Sequence, residues 1–133
     1  MRRGIDANIL LRALLNDDPI QSTQSRSVLE KLDDENEGYV GVTALLEVFW
    51  VLKSRYRIPK PELYDTLKAV LKVKGLEVES FDAVIQALNL YAEGAVDFPD
   101  ALLSARNLEA ACEDTLTLDQ KAAARVPGMT LLT

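Results

Sequence analysis

The fold is decided by residues 38–52, which read GYVGVTALLEVFWVL. Residues 39–42 are short and apolar, as in a buried strand. Thr43 is a suitable N-cap for a helix that continues to about Tyr56. The stretch therefore predicts a strand that passes almost directly into a helix.

The same alternation of short strands and helices extends towards both ends of the chain. On the N-terminal side, the pattern predicts a strand at 2–5, a helix that ends at 17–19, and a second helix at 22–32. On the C-terminal side it predicts helices at 61–73, 82–92 and 97–112, an extended connection at 76–79, strands at 115–118 and 129–132, and a short helix from Asp119 to before Pro127. This order predicts an α/β protein, with a short parallel β-sheet flanked by helices on both faces, in one domain over residues 1–133.

The composition excludes several kinds of catalytic site. The 133 residues contain no histidine and one cysteine, Cys112, so histidine triads, histidine zinc sites and cysteine clusters are ruled out. Residues 1–18 lack the pattern of a secretory signal peptide, and residues 38–52 are too short to span a membrane. We expect a cytoplasmic protein without a membrane segment, in which carboxylates carry any chemistry.

Glu47 is the only charged residue in the apolar stretch 38–52. A helix that is apolar nearly all round is typically buried, so we predict a buried carboxylate that needs compensation. One interpretation is an ion pair with Lys53, Arg55 or a distant arginine, or a carboxylate stabilised by the positive N-terminus of the helix one turn away. The other is a metal ion.

Four more acids stand near the start of predicted helices, namely Asp6, Asp97, Asp100 and Asp119. Each is explained singly by helix capping. Together with Glu47, however, they lie close to strand–helix junctions, and the carboxyl ends of parallel strands meet at one edge of a sheet. Carboxylates gathered there repel one another unless a cation neutralises them, and oxygen ligands favour Mg²⁺ or Mn²⁺.

Four stretches, in order, resemble the motifs of PIN-domain ribonucleases, and among them the VapC-type toxins of toxin–antitoxin pairs. They are residues 5–10 (IDANIL), 45–52 (LLEVFWVL), 97–103 (DFPDALL) and 117–121 (TLDQK). The resemblance covers essentially the whole chain and implies a three-layer α/β/α PIN-like fold.

The resemblance also implies endonucleolytic cleavage of RNA with Mg²⁺ or Mn²⁺, in which water attacks phosphorus and leaves 5′-phosphate and 3′-hydroxyl ends. By this resemblance the catalytic acids are Asp6, Glu47, Asp100 and Asp119. The first three are assigned to direct metal coordination, and Asp119 to coordination through water or a second ion. Asp97 matches a further, frequently acidic position and is either a ligand or only a helix cap.

Polar and basic residues near these motifs receive supporting roles. Asn8 and Thr117 are expected to orient carboxylates. Four basic side chains are candidates for positioning the RNA backbone, namely Arg12, Lys53, Arg55 and Lys121. The net charge of −6 speaks against many phosphate contacts, and the few aromatic residues lie mostly in apolar stripes, so no platform for base stacking is predicted.

By resemblance, the partners are a cognate antitoxin and a second copy of the chain in a homodimer. The apolar stripe Leu63, Leu67 and Val70 is a candidate for the antitoxin groove, although core packing explains it equally well. Two alternatives stay open. One is a PIN-type RNA-processing nuclease without an antitoxin, and the other is a catalytically silent PIN-like binding module.

Overall fold

Three parallel strands form the sheet of the first part of the chain. The computed structural model describes all 133 residues, in two compact units, Met1–Glu79 and Ser80–Thr133. In unit 1 the strands β1 (Arg2–Gly4), β2 (Glu37–Val40) and β3 (Leu76–Val78) pair in the order β1-β2-β3. Parallel pairing requires a long crossover between strands, and helices supply it here.

Unit 1 contains four helices, of which the first, third and fourth each bury an apolar face, whereas the buried residues of the second are Ser22 and Ser25. The helices are α1 (Ala7–Leu15), α2 (Pro19–Glu30), α3 (Val42–Ser54) and α4 (Lys60–Leu71). Leu10, Val48, Phe49, Leu63 and Leu67 are at most 1% exposed and form much of this core. The stripe Leu63, Leu67 and Val70 is therefore core, and the prediction that it lines an antitoxin groove is wrong.

Unit 2 contains three helices and a separate two-stranded parallel sheet. The helices are α5 (Phe81–Glu93), α6 (Phe98–Glu109) and α7 (Gln120–Arg125), and the strands are β4 (Thr115–Thr117) and β5 (Met129–Leu131). Phe98 at the start of α6 is fully buried and meets Tyr91 of α5 edge to face, with ring centroids 6.4 Å apart. This contact fixes the first turn of α6, which carries two of the predicted site acids.

The α/β class with short parallel strands and flanking helices is confirmed. Some boundaries differ for local reasons. Helix α2 begins at Pro19 rather than residue 22, because Asp18 Oδ1 accepts the N–H groups of Ile20 and Gln21 and proline suits the first helical position. Residues 76–79, predicted as a connection, contain strand β3. None of the seven helices has the length and hydropathy of a transmembrane span.

The N-terminus of α3 is capped from a distant part of the chain. Gly41 occupies the N-cap position and has no side chain to offer, so the prediction that Thr43 caps the helix is wrong. The N–H of Val42 instead donates to Glu79 Oε1 at 2.8 Å, just beyond β3. Glu79 thus supplies the acceptor that local sequence does not.

Replacing Glu79 by alanine is expected to lower the free energy of unfolding by about 1 kcal/mol, because the half-buried N–H of Val42 loses its acceptor. Urea denaturation measures the loss. Glu79→Gln retains an acceptor oxygen and should lose less. Glu77→Ala, which removes only an exposed ion pair with Arg2, is the control. An equal loss in the Glu79 and Glu77 variants would show that the cap contributes nothing.

Candidate active site

Three aspartates of unit 2 line one cavity of about 210 Å³. Asp97 occupies the N-cap position of α6 without capping it by its side chain, and Asp100 lies in the first turn of the same helix. Asp119 comes from the start of α7. Lys121 also lines the cavity. The structure therefore brings together the three acids that the sequence places in this half of the chain, with one predicted RNA-positioning cation beside them.

The position of Asp100 in this cavity changes the pKa of its carboxyl group. Its half-buried position raises its pKa, because burial disfavours the charged form, and the negative charges of Asp97 and Asp119 raise the pKa further. Ionised Asp100 is therefore in an unfavourable environment. A proton or a cation at this position would relieve it.

Asp119 combines a capping role with a place in the cavity. Its Oδ1 accepts the N–H of Ala122 at 3.1 Å and caps α7, which leaves Oδ2 as a possible ligand atom. The N–H of Asp119 donates to Thr117 Oγ1 at 3.0 Å. Thr117 thus holds the main chain of Asp119 rather than its carboxylate. Asp119 therefore both caps α7 and lines the cavity.

Asp6 is placed in a similar way in unit 1. Its Oδ1 accepts the N–H of Ile9 at 3.0 Å and caps α1, while the residue itself is exposed. Asp6 and Asn8 line a second cavity of about 380 Å³ between α1 and α2. Gln24 and Ser25 of α2 contribute polar groups to its wall, and Ile9 and Val28 contribute apolar ones. Asn8 is therefore beside Asp6, as its predicted supporting role requires.

Arg12, which lines the same cavity, is held by a network that the sequence did not reveal. Its guanidinium donates to Asp17 Oδ2 at 2.7 Å and to Gln21 Oε1 at 3.1 Å, and the Tyr56 hydroxyl donates to the same Asp17 oxygen at 3.0 Å. The hydrogen bond from Arg12 lowers the pKa of the Asp17 carboxyl. The charge of Arg12 is thus already matched by a carboxylate.

Glu47 is exposed, so the prediction that its carboxylate is buried is wrong. Helix α3 turns Leu45, Val48 and Phe49 inward and leaves an outer stripe on which Glu47 stands. Glu47 forms no salt bridge with Lys53, with Arg55 or with any other lysine or arginine. The carboxylate is available to an ion from solvent, without the desolvation cost that the sequence suggested.

The remaining cations of α3 lie at its C-terminal end. Lys53 places Nζ 5.6 Å from the centroid of the Phe49 ring, and Arg55 is the exposed C-cap residue. Trp50, on the outer stripe of the same helix, is 62% exposed, so this aromatic residue does not lie in a buried apolar stripe. The signal in the sequence was the spacing of Thr43, Glu47 and Trp50, which brings two polar residues and the indole to one face.

No group of three or more Asp, Glu or Cys side chains lies close enough together to hold a metal ion unaided. Mg²⁺ in proteins is commonly bound by one or two carboxylates, with waters and substrate phosphates as its other ligands. The donor chemistry of the acids therefore fits such an ion, and they do not form a closed cage.

A family model described as PIN domain matches residues 5–128 of the chain. The chain belongs to the PIN-domain family. The three-layer α/β/α PIN-like fold is thereby confirmed. PIN domains are generally nucleases and generally use divalent metals, which supports the predicted enzyme and cofactor classes at that level.

The similarity of the chain to individual known proteins is low. No curated protein matches the chain. Among solved structures, it is similar to a chain of VapBC2 from Rickettsia felis bound to a DNA fragment from their promoter. The identity is 17%, the match covers 99% of this chain and 98% of that chain, and the TM-score is 0.39.

Proposed function

We propose that this PIN domain is an endoribonuclease dependent on Mg²⁺ or Mn²⁺, and that it acts in the cytoplasm as the toxin of a toxin–antitoxin pair. The observation that carries the nuclease proposal is the cavity lined by Asp97, Asp100 and Asp119, where burial and the charges of the other two acids raise the pKa of Asp100. A divalent cation is the species that such a set of carboxylates favours.

The proposed metal ligands are the acids of the four PIN-like motifs. Asp6 and Glu47 belong to unit 1, and Asp100 and Asp119 belong to unit 2. Asp97 is proposed as an additional ligand, because it lines the cavity together with Asp100 and Asp119. When bound, the ion would lower the pKa of a water and neutralise charge on the scissile phosphate.

The surrounding side chains have roles that follow from their contacts. Capping fixes the carboxylates of Asp6 and Asp119 through Oδ1, so that Oδ2 of each is held in a defined direction. Thr117 fixes the loop that carries Asp119, and Asn8 stands beside Asp6. We propose that these contacts orient the acids before an ion binds, which limits the entropy lost on binding.

Lys121 is the strongest of the proposed RNA-positioning residues, because it lines the acidic cavity itself. An ammonium there would contact a phosphate oxygen of the substrate and offset part of the local negative charge. Arg12 is a weaker candidate because Asp17 already matches its charge. Lys53 and Arg55 are proposed to contact the RNA backbone near the end of α3.

The proposed partners are a cognate antitoxin and a second copy of the chain. Both rest on the resemblance of the four motifs to VapC-type toxins. An antitoxin that covers the acids would block access of RNA and of the ion together. Because the stripe of α4 is buried, we propose that the antitoxin binds other residues, on the exposed surface of the chain.

Expression of the chain without an antitoxin is expected to arrest bacterial growth, and RNA from arrested cells should carry new cleavage ends with 5′-phosphates. Asp6→Asn should relieve the arrest, because the amide is a poor ligand for the ion although it still caps α1. Growth curves and mapping of 5′-phosphate ends measure the two effects.

Asp18→Asn is the matched control for this experiment. Asp18 caps α2 as Asp6 caps α1, so both substitutions make the same change at a helix start and only one alters a proposed ligand. Asp18→Asn should arrest growth like the wild type. Cleavage without arrest would favour an RNA-processing nuclease. Equal behaviour of the wild-type and Asp6→Asn chains, with no new ends in either, would favour a silent binding module.

A further inference from the structure

Helix α3 exposes one large aromatic side chain. Trp50 is 62% exposed, and it is the only large hydrophobic residue of the helix on the exposed surface, since Leu45, Val48 and Phe49 are buried. An indole in water forgoes the favourable free energy of burial. Packing of the core therefore does not explain the position of Trp50.

The exposed residues that flank Trp50 on α3 are polar, and the apolar Leu46, four residues before it, is half-buried. Glu47 stands three residues before it, Lys53 three residues after it and Ser54 four residues after it, and all three are exposed. Side chains three or four residues apart on a helix are neighbours, with Cβ atoms roughly 5–6 Å apart. A single indole within a polar rim is unlike the contiguous apolar patch of a typical protein interface.

Resting on the function proposed above, we infer that Trp50 stacks on a nucleobase of single-stranded RNA and so positions the strand beside Glu47. Every base presents a flat face, so stacking holds RNA without requiring a particular sequence. It also needs no positive charge. A chain with a net charge of −6 gains affinity in this way that phosphate contacts alone supply poorly. Lys53 adds a cation next to the indole for the adjoining phosphate.

Trp50 is the only tryptophan in the chain, so its fluorescence reports directly on this contact. The full chain carrying Asp6→Asn, which is not expected to cut RNA, is titrated with an unstructured RNA of about ten nucleotides. A parallel titration uses an abasic ribose-phosphate oligomer of the same length and charge. We expect RNA to quench the emission of Trp50 and the abasic oligomer to leave it nearly unchanged.

Affinity measured with labelled RNA by filter binding supplies the second measurement, in the same Asp6→Asn background. Trp50→Ala is expected to weaken binding between about 5- and 100-fold, and Trp50→Phe less, because a phenyl ring still stacks. Stacking releases no counterions, so Trp50→Ala should leave the slope of log affinity against log salt unchanged. Lys53→Ala should reduce that slope by about 0.7, the value for one phosphate contact on a single strand.

Three results would overturn the inference. They are RNA binding without quenching, equal quenching by RNA and the abasic oligomer, and emission that depends on protein concentration alone, which would place Trp50 between two copies of the chain. Cleavage by the wild type without quenching in the Asp6→Asn chain contradicts this inference and leaves the proposed nuclease intact. Quenching by RNA without any cleavage supports the stacking contact and contradicts the nuclease.

Discussion

Asp100→Asn is expected to lower RNA cleavage by at least about 10²–10³-fold and, without divalent cations, to make the protein slightly more stable. The loss of activity follows from removal of a proposed metal ligand. The gain in stability follows from the raised pKa of Asp100, since its ionised carboxylate sits in a half-buried position facing Asp97 and Asp119. We expect a gain below about 1 kcal/mol, because Asp100 is partly solvated.

The pH dependence of the stability gain shows whether the ionised carboxylate of Asp100 is its cause. A raised pKa in the folded state means that ionisation of Asp100 costs stability at neutral pH, and that the cost fades as the pH falls through the raised pKa towards the ordinary value of an aspartate. Asp100→Asn should therefore exceed the wild type in thermal stability at pH 7 and lose that advantage in acid. Thermal melts across this pH range measure the crossover.

Divalent cations should reverse the order of stability at pH 7. An ion that binds only the folded wild type at 100 times its dissociation constant adds about 2.7 kcal/mol, and Asp100→Asn should gain less. Asp82→Asn, an exposed aspartate in the first turn of α5, is the control and should behave like the wild type in both assays. If Asp100→Asn cleaves RNA normally, Asp100 is not a ligand. If it is destabilised at neutral pH, the repulsion among the three acids is not significant.

Phe98→Ala is expected to lower the free energy of unfolding by about 3–5 kcal/mol. Phe98 is fully buried against Tyr91, and its removal leaves a cavity where α6 meets α5. The loss is a large part of the roughly 5–15 kcal/mol that stabilises a typical domain. Because Phe98 lies between Asp97 and Asp100, cleavage should fall as well. Urea denaturation measures the first effect.

Phe81→Ala provides the matched control within the same unit. Phe81 is 44% exposed, so the same substitution removes little buried area and should cost less than about 1 kcal/mol. Similar losses in the two variants would mean that the edge-to-face contact and the burial of Phe98 do not anchor α6.

The sequence predicted the elements well wherever apolar spacing was strong. The helix predicted at 82–92 is observed as α5 (Phe81–Glu93), in which Val84, Leu88 and Tyr91 are buried and Ile85 is half-buried. Short motifs also placed Asp97 and Asp100 at the start of α6. These features depend on neighbours within a few residues, which is the range that periodicity reports.

The sequence failed where the outcome depended on which face of a helix packs inward, or on side chains that meet beyond the end of a helix. The many apolar residues around Glu47 predicted a buried carboxylate. A helix that is apolar on most sides can still present one narrow face to water, and Glu47 lies on that face. The α4 stripe of Leu63 and Leu67 could be core or groove on periodicity alone, and only the observed burial decides. The pairing of Arg12 with Asp17 was missed because two side chains five residues apart meet only beyond the end of a helix.

The cap that Glu79 provides to α3 also bears on the order in which the chain folds. Val42 and its acceptor are separated by 37 residues, so this capping hydrogen bond of α3 cannot form before the chain has closed a long loop and brought Glu79 to the start of the helix. Loop closure of this kind costs entropy before any contact repays it. We therefore expect the cap of α3 to form late, together with the pairing of β3 with β2, although the rest of the helix is specified locally.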